Sequence, residues 1–143
     1  MARVKLDIPE NKIFTTDISV RISNINYGNH VGNDALVSIV HEARMQWLAY
    51  NNYTELNIGG AALIMADLAV EYKAECFYGD ILNIAISIGE ITKISFEIFY
   101  EIFTSRNCKK ILIAKVKTGM VCFDYEARKV TNIPENFGLI IND

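Results

Sequence analysis

The sequence predicts a single α+β domain in which one long helix packs against an antiparallel sheet of five strands. Apolar residues recur at helical spacing over one early segment and afterwards alternate with the two-residue period of strands. The links between the later strands are too short for the crossover that a parallel pair needs. A chain of 143 residues has the length of one domain, so we expect residues 1–143 to fold as one unit.

The first predicted elements are a short strand, a loop and the helix. Residues 18–22 alternate between apolar and polar side chains, as a strand does. Residues 23–33 hold four asparagines, two glycines and one histidine, a composition typical of a loop. Asn33 or Asp34 can cap the helix, which we expect to end near Asn51. Its apolar stripe consists of Leu36, Ile39, Val40, Ala43, Trp47 and Tyr50.

Four more strands are predicted after Gly59 and Gly60. Period-two alternation covers residues 64–73, 82–88, 94–102 and 111–123. Gly119 interrupts the last of these segments, which predicts a β-bulge. The outer strands of such a sheet are unpaired edges, so we expect a homodimer, or a tetramer built from two dimers, that covers them.

Composition excludes several classes of protein. Hydrophobic residues make up 51% of the chain and charged residues 22%, which is too apolar for a disordered segment. The apolar runs, such as residues 61–66, are far shorter than the roughly 20 residues that span a bilayer. No apolar stretch follows the basic residues at the start, so we expect no secretory signal and a cytoplasmic protein. Three cysteines at unrelated spacings and two histidines predict no metal site and no cofactor.

The charge of −3 is unevenly distributed. Residues 104–129 contain seven Lys or Arg and two acidic residues, a local net charge of +5. A basic segment on an acidic protein favours a small polyanion over a nucleic acid, which needs a broadly basic face. The alternative is a solvated strand face. The candidate anion-binding residues are Arg106, Lys109, Lys110, Arg128 and Lys129.

The order of these elements and several short motifs resemble the hotdog-fold thioesterases, in particular the 4-hydroxybenzoyl-CoA thioesterase-like branch of acyl-CoA thioesterases. The matching residues are Val20-Arg21, residues 26–33, Glu42-Ala43-Arg44, Glu71-Tyr72, Tyr78-Gly79-Asp80 and Ile133-Pro134. The resemblance extends from about residue 15 to about residue 135. It implies a five-stranded sheet wrapped around one central helix. It also implies hydrolysis of an acyl-CoA or acyl-carrier-protein thioester at a homodimer interface.

The resemblance also implies site residues, with one departure. The aspartate that acts as base or nucleophile in that branch falls at Asn26, whose amide cannot take up a proton. The acyl-carrier-protein thioesterases of the same fold use a histidine and a carboxylate, which fall at His30 and Glu42. Asp34 is a further proton acceptor near the loop. The catalytic candidates are therefore Asn26, His30, Asp34 and Glu42.

Each candidate has a structural alternative. Asn26 and His30 can be ordinary loop residues, and Asp34 can be a helix cap. Glu42 can pair with Arg21 or make an ordinary surface contact. Tyr27, beside these residues, is a candidate for substrate binding. Gly59 and Gly60 either present N–H groups to a thioester carbonyl or only end the helix segment, and the basic residues named above are candidates for binding the phosphates of coenzyme A.

Two other functions remain open on this fold. Because the family aspartate is replaced at Asn26, the protein can be a non-catalytic carrier of acyl thioesters or fatty ligands. A hotdog dehydratase or isomerase is the third class. It needs a histidine and an acid at a substrate carbon, and no dehydratase-like histidine motif occurs in the strand region.

Overall fold

The computed structural model describes residues 3–142, which form two α-helices and one antiparallel sheet of six strands. The helices are α1 (Asn33–Tyr50) and α2 (Glu135–Ile141), and a short 3₁₀ helix covers Ile22–Asn24. The strands are β1 (Lys12–Ser19), β2 (Ala62–Tyr72), β3 (Ile81–Ile91), β4 (Ser95–Arg106), β5 (Lys109–Asp124) and β6 (Lys129–Val130). The predicted α+β class is confirmed.

The sheet has the order β1-β3-β4-β5-β2, and β6 adds to β5. The sheet therefore has one strand more than predicted. The additional strand is β6, of which two residues pair with Phe123 and Asp124. A segment of two residues is too short to show the period of a strand in the sequence. The strands β1 and β2 are the two edges. Both hairpins, β3–β4 and β4–β5, are antiparallel as predicted.

The first strand lies earlier in the chain than predicted. It ends at Ser19, so most of the predicted segment 18–22 lies outside it. Val20 leaves the strand because its N–H donates to Asp80 O at 2.8 Å and its side chain is buried. The Arg21 N–H donates to Asn24 Oδ1 at 2.8 Å and starts the 3₁₀ turn. Hydrogen bonding at Val20 and Arg21 thus overrides the local alternation.

The core lies between α1 and one face of the sheet. The helix ends at Tyr50, as predicted, but its N-cap is Gly32 and not Asn33 or Asp34, because the chain is already helical at Asn33. Its apolar stripe is buried except for Tyr50, which is 75% exposed and contacts the Phe14 ring at a tilted angle. Leu48, which was not part of the predicted stripe, is fully buried. The facing strands supply Leu82, Ile84, Ile86, Phe96, Ile98, Tyr100 and Ile102, all fully or almost fully buried. Complete burial of one such apolar side chain contributes about 1.5–3 kcal/mol.

The helix α2 was not predicted from the sequence. It is seven residues long, too short to show a reliable helical period, and begins after Pro134. It buries Phe137 and Ile141 in the core. The Phe137 ring contacts the rings of Trp47, Tyr53 and Phe96 at centroid distances of 5.3 to 6.0 Å. This helix therefore closes the core beside the end of α1.

A β-bulge occurs at the predicted level of the sheet but on the neighbouring strand. Met65 pairs with Met120 and Asp67 pairs with Gly119, so the extra residue is Ala66 of β2. The Asp67 carboxylate accepts hydrogen bonds from the Gly119 N–H at 2.8 Å and from Lys117 Nζ at 3.0 Å. A Cβ on Gly119 would lie 2.6 Å from Asp67 Oδ1, which explains the glycine.

Across residues 3–142, neither α-helix combines the length and the apolar character needed to cross a membrane.

Candidate active site

The loop that precedes α1 folds back on itself around Asn26. A β-bridge joins Ile25 to Val31, and the Asn26 N–H donates to His30 O at 3.0 Å. Asn29 turns the chain with a φ of 64°, a conformation that asparagine tolerates. Asn26 Oδ1 accepts the Gly28 N–H at 2.8 Å, so this side chain braces the loop.

The side chains of Asn26 and His30 converge above Gly28. Asn26 Oδ1 and His30 Nε2 lie 3.2 and 3.3 Å from the point that a Cβ on Gly28 would occupy. His30 Nδ1 is 3.0 Å from the Val31 carbonyl oxygen. Because a carbonyl oxygen only accepts, we assign the ring proton to Nδ1. The lone pair of Nε2 is then available to accept a proton or a hydrogen bond.

The Asp34 carboxylate is close to the same loop. Its Oδ1 lies 2.8 Å, and Asn26 Nδ2 lies 3.7 Å, from the point that a Cβ on Gly32 would occupy. Gly32 is the N-cap residue of α1, and no side chain caps this helix end. Asp34 therefore does not act as a helix cap. The structure thus brings together three of the predicted catalytic residues, Asn26, His30 and Asp34.

The backbone at the start of α1 offers free donors. The first N–H of the helix with an acceptor among the described residues is that of Leu36, which donates to Gly32 O at 3.1 Å. The N–H groups of Asn33, Asp34 and Ala35 precede it and are free to bind a ligand. Free N–H groups and the helix dipole together favour an oxygen atom that carries or gains negative charge.

A cavity of about 300 Å³ adjoins this helix end. The loop and α1 line one side with His30, Val31, Asn33 and Leu36. The other side consists of Tyr72, Lys73, Ala74, Glu75, Cys76 and Ile113. Backbone bonds hold the sides in place: Val31 N–H donates to Cys76 O at 2.9 Å, and Lys73 N–H to Ile113 O at 2.8 Å. The volume lies at the lower end of the range for ligand pockets.

Two side chains of the cavity have perturbed ionisation. Burial, and then the charge of Asp34, raise the pKa of Tyr72 above its ordinary value. Burial and then Asp80 raise the pKa of Cys76 to about 11, against the opposing effect of Arg106. The Cys76 thiol is therefore protonated at neutral pH and is a poor nucleophile.

Glu42 lies in a different groove of the chain. It is eight residues after Asp34 on α1, which corresponds to a rise of about 12 Å along the helix axis. This second groove is also lined by Asp17, Arg21 and Gln46. The Glu42 carboxylate accepts from Gln46 Nε2 at 2.8 Å, and the alternative pairing with Arg21 does not form. Within one chain, Glu42 is therefore separated from His30. Tyr27 lies at the loop tip and is fully exposed.

The N–H groups of Gly59 and Gly60 are already in use. Both donate to Asn57 Oδ1 at 3.0 Å. Their φ angles of 105° and 108° are the reason that glycine occupies both positions. This arrangement agrees with the structural alternative for the two residues.

The basic residues of segment 104–129 separate into two groups. Arg106, Lys109 and Lys110 lie at the β4–β5 hairpin. Arg106 Nη2 donates to the O atom of the cavity residue Glu75 at 2.8 Å, whereas Lys110 lines a separate groove with Asp80 and Phe103. Arg128 and Lys129 lie beyond the other end of β5, a strand of 16 residues that spans about 50 Å. One continuous basic patch is thus not formed in a single chain. Arg106 is also committed to Asp80 at 2.5 Å and stacks on Phe77.

Sequence reasoning assigned no role to the polar network around Arg44. This side chain is buried, with Nε 2.8 Å from Glu55 Oε2 and Nη1 3.0 Å from the Tyr100 hydroxyl. Tyr100 continues to Thr118 at 2.8 Å. His41 has half its side chain exposed, and its Nε2 lies 2.7 Å from Glu55 Oε1. The sequence gives one indication of this network: Arg44 follows the stripe residue Ala43, so a buried arginine there would need an acceptor. The sequence does not show which residue supplies that acceptor.

Comparison with known proteins identifies the family. The family model of the thioesterase-like superfamily matches residues 20–139. The chain belongs to the thioesterase-like superfamily. A 1,4-dihydroxy-2-naphthoyl-CoA hydrolase from Synechocystis is 25% identical over 133 residues, which cover 91% of this chain and 95% of the relative. The expected relationship to the thioesterases is therefore confirmed.

Solved structures of CoA thioesterases have the same fold. A 1,4-dihydroxy-2-naphthoyl-CoA thioesterase from Synechocystis superposes with a TM-score of 0.80 at 25% identity, covering 91% of this chain and 96% of that chain. A mutant 4-hydroxybenzoyl-CoA thioesterase in complex with 4-hydroxybenzoyl-CoA gives 0.80 at 12% identity, with coverages of 90% and 97%. A gentisyl-coenzyme A thioesterase gives 0.76 at 17% identity, with coverages of 90% and 99%.

Proposed function

We propose that this superfamily member is an acyl-CoA thioesterase that releases a compact acid from coenzyme A in the cavity at the start of α1. The observation that carries the proposal is the combination of free N–H groups at Asn33 and Asp34 with two proton acceptors at the same helix end. His30 lines the small cavity, and the Asp34 carboxylate lies next to it, close to Gly32. The relatives named above hydrolyse aromatic acyl-CoA thioesters according to their names. A volume of about 300 Å³ suits a group of that size better than a long chain.

The chemistry follows from the positions of these groups. The helix N–H groups bind the thioester oxygen as it gains charge. A water molecule gives up a proton to His30 Nε2 or to the Asp34 carboxylate while its oxygen attacks the carbonyl carbon. The carbon–sulfur bond then breaks, and the leaving thiolate of coenzyme A takes up a proton. Asn26 orients the water or the carbonyl through its amide.

The replacement of the family aspartate at Asn26 favours a non-catalytic binding protein as the second candidate. The position of Asp34 favours catalysis over binding alone. Its carboxylate lies close to Asn26, where it can replace the missing family aspartate as a proton acceptor, and it makes no capping hydrogen bond. Release of free thiol from a panel of acyl-CoAs distinguishes the two functions, since a carrier binds the substrates without turnover.

Substitutions at the loop test the assignment of the site. His30→Ala and Asp34→Asn should each lower kcat by about 10²–10⁴-fold, the usual contribution of a general base. Glu42→Gln is the matched control, since Glu42 lies in the second groove of the chain. The thermal midpoint of each variant should stay at the wild-type value, which shows that the substitution does not unfold the protein. If only Glu42→Gln abolishes turnover, the chemistry occurs in the second groove.

We further propose that the enzyme acts as a two-fold homodimer, which can assemble further into a tetramer, with the cavities next to the subunit interface. The unpaired edge of β2 supports this, because the strand ends at Tyr72, which lines the cavity. Lys109 and Lys110 of the β4–β5 hairpin are the basic residues that we assign to the phosphates of coenzyme A.

A further inference from the structure

Tyr72 brings a polar group into the cavity from the sheet. It is the last residue of β2 and pairs with Ala114 of β5, so strand register sets its position. The next two residues, Lys73 and Ala74, both donate their N–H groups to Ile113 O, at 2.8 and 3.1 Å. This double anchor holds the end of β2 beside the cavity wall that contains Ile113.

The Tyr72 hydroxyl has no partner of its own among the described residues, although it can donate one hydrogen bond. The side chain is 49% exposed and lines the cavity together with His30 and Asn33. Tyr72 faces the first turn of α1 across the cavity, since Asn33 lines the same cavity, and burial followed by the charge of Asp34 raises the pKa of the phenol. The raised pKa keeps the hydroxyl protonated, so that it remains a donor wherever His30 and Asp34 can act as acceptors.

We propose that the Tyr72 hydroxyl donates a hydrogen bond to the carbonyl oxygen of the bound thioester, from the β2 side of the cavity. The inference rests on the proposed function, because it needs a thioester at this helix end. The neighbouring polar groups leave this role to Tyr72. Asp34 and His30 Nε2 are acceptors, and the Asn33 amide lies on the opposite, helix side of the cavity. On the β2 side, Lys73 Nζ is bound to Glu71 Oε2 at 2.7 Å and the Cys76 thiol is a weak donor, so the phenol is the uncommitted donor of that side among the described residues.

Tyr72→Phe tests the inference with benzoyl-CoA as substrate, since this change removes only the hydroxyl. Because the helix N–H groups remain, we expect kcat to fall by about tenfold or more and KM to stay within about twofold. Tyr125→Phe is the control, since Tyr125 has a similar exposure of 50% and lies outside the cavity. It should leave both constants unchanged.

Binding of two unreactive analogues gives a readout without turnover. In the first, a methylene group replaces the sulfur of benzoyl-CoA and the carbonyl is kept; in the second, benzyl-CoA, the carbonyl is missing. Tyr72→Phe should weaken binding of the ketone several-fold and leave benzyl-CoA unchanged. The ratio of the two dissociation constants also remains valid if the variant is partly unfolded.

The outcomes separate this inference from the proposed function. If the wild-type protein hydrolyses benzoyl-CoA and the loop variants fail while Tyr72→Phe keeps its kcat, the tyrosine inference is wrong and the proposed function stands. Equal weakening of both analogues would mean that the phenol only packs against the ligand, which also overturns the inference. A wild-type protein that hydrolyses no thioester refutes both.

Discussion

Arg44 is a charged side chain that α1 carries into the protein interior, with 5% of its surface exposed. Its guanidinium is satisfied by Glu55 and by the Tyr100 hydroxyl, so it links the helix to the loop before β2 and to β4. Burial raises the pKa of Glu55, but the hydrogen bonds from Arg44 and His41 outweigh that effect and hold the pKa below its ordinary value. The folded protein thus favours the ionised carboxylate.

Arg44→Met should destabilise the fold, because it leaves the partly buried Glu55 carboxylate without its main partner. Breaking a buried ion pair costs about 3–5 kcal/mol, and the partial exposure of Glu55 predicts the lower end of this range. Urea unfolding measures the change in the free energy of unfolding. Arg21→Met, at an exposed arginine, is the control and should change it by less than about 0.5 kcal/mol.

The same pair predicts a pH dependence of stability. A carboxylate whose pKa is depressed on folding stabilises the protein above its ordinary value of 4.5, and this contribution is lost as the pH falls through the folded pKa. Wild-type stability should therefore fall more steeply below pH 4.5 than that of Arg44→Met, in which the depression is relieved. Parallel stability curves for the two proteins would contradict the assignment.

The β4–β5 hairpin is the element that carries the first group of basic residues. Asn107 and Cys108 form its two-residue turn with φ angles of 51° and 64°, the geometry that matches the twist of paired strands. Lys110 Nζ lies 4.0 Å from the centroid of the Phe103 ring, and Arg106 is held by Asp80. Lys109 and Lys110 are exposed, so both can contact phosphates at the protein surface.

Reversing the charges of Lys109 and Lys110 should raise KM for acyl-CoA by about two- to thirtyfold, since each of the two exposed ion pairs contributes about 0.2–1 kcal/mol. The effect should shrink as salt is added, because exposed charges are screened over about 8 Å at physiological ionic strength. Steady-state kinetics with the double Lys→Glu variant measures both effects.

The control for this hairpin is the same reversal at Arg128 and Lys129, beyond the far end of β5, which should leave KM unchanged. A short acyl-thiol substrate without phosphates should be hydrolysed normally by both variants. Equal loss on that substrate would show that the hairpin lysines have a structural role instead.

At the scale of the whole molecule, the sheet formed by residues 3–142 has two open edges, β1 and β2. On β2, Met65 and Leu68 are 40% and 38% exposed next to the bulge at Ala66. An edge strand with exposed apolar side chains favours pairing with another strand, and a two-fold axis lets the same edge of a second copy supply it.

Light scattering at micromolar concentration should therefore give twice the chain mass of 16.1 kDa, or four times that mass for a tetramer. Changing Met65 and Leu68 together to Lys should yield a monomer with lower turnover, because the edge then repels its copy. Leu139→Lys, at an exposed leucine of α2, should leave the mass unchanged. If the wild-type protein is a monomer, the proposal that the cavity lies next to a subunit interface is wrong.

Several features of the fold were predictable because they depend on neighbouring residues. The stripe from Leu36 to Trp47 defines α1, and the alternation of residues 82–88 and 94–102 defines the centre of the sheet. The sequence did not predict α2 or β6, since seven and two residues carry too little periodic signal. The first strand was misplaced because hydrogen bonds at Val20 and Arg21 interrupt a regular pattern.

The sequence by itself determined the α+β class and the loop before α1, since periodicity and turn chemistry act over a few residues. The resemblance to the hotdog-fold thioesterases suggested Asn26 and His30 as catalytic candidates in that loop, with Asp34 as a proton acceptor beside them. Only the tertiary structure decided which distant residues share the cavity. It brings Tyr72 and Ile113 to His30, moves Glu42 to another groove and separates Lys109 from Lys129. These relations depend on strand register and on the packing of α1 against the sheet, which join residues far apart in the chain.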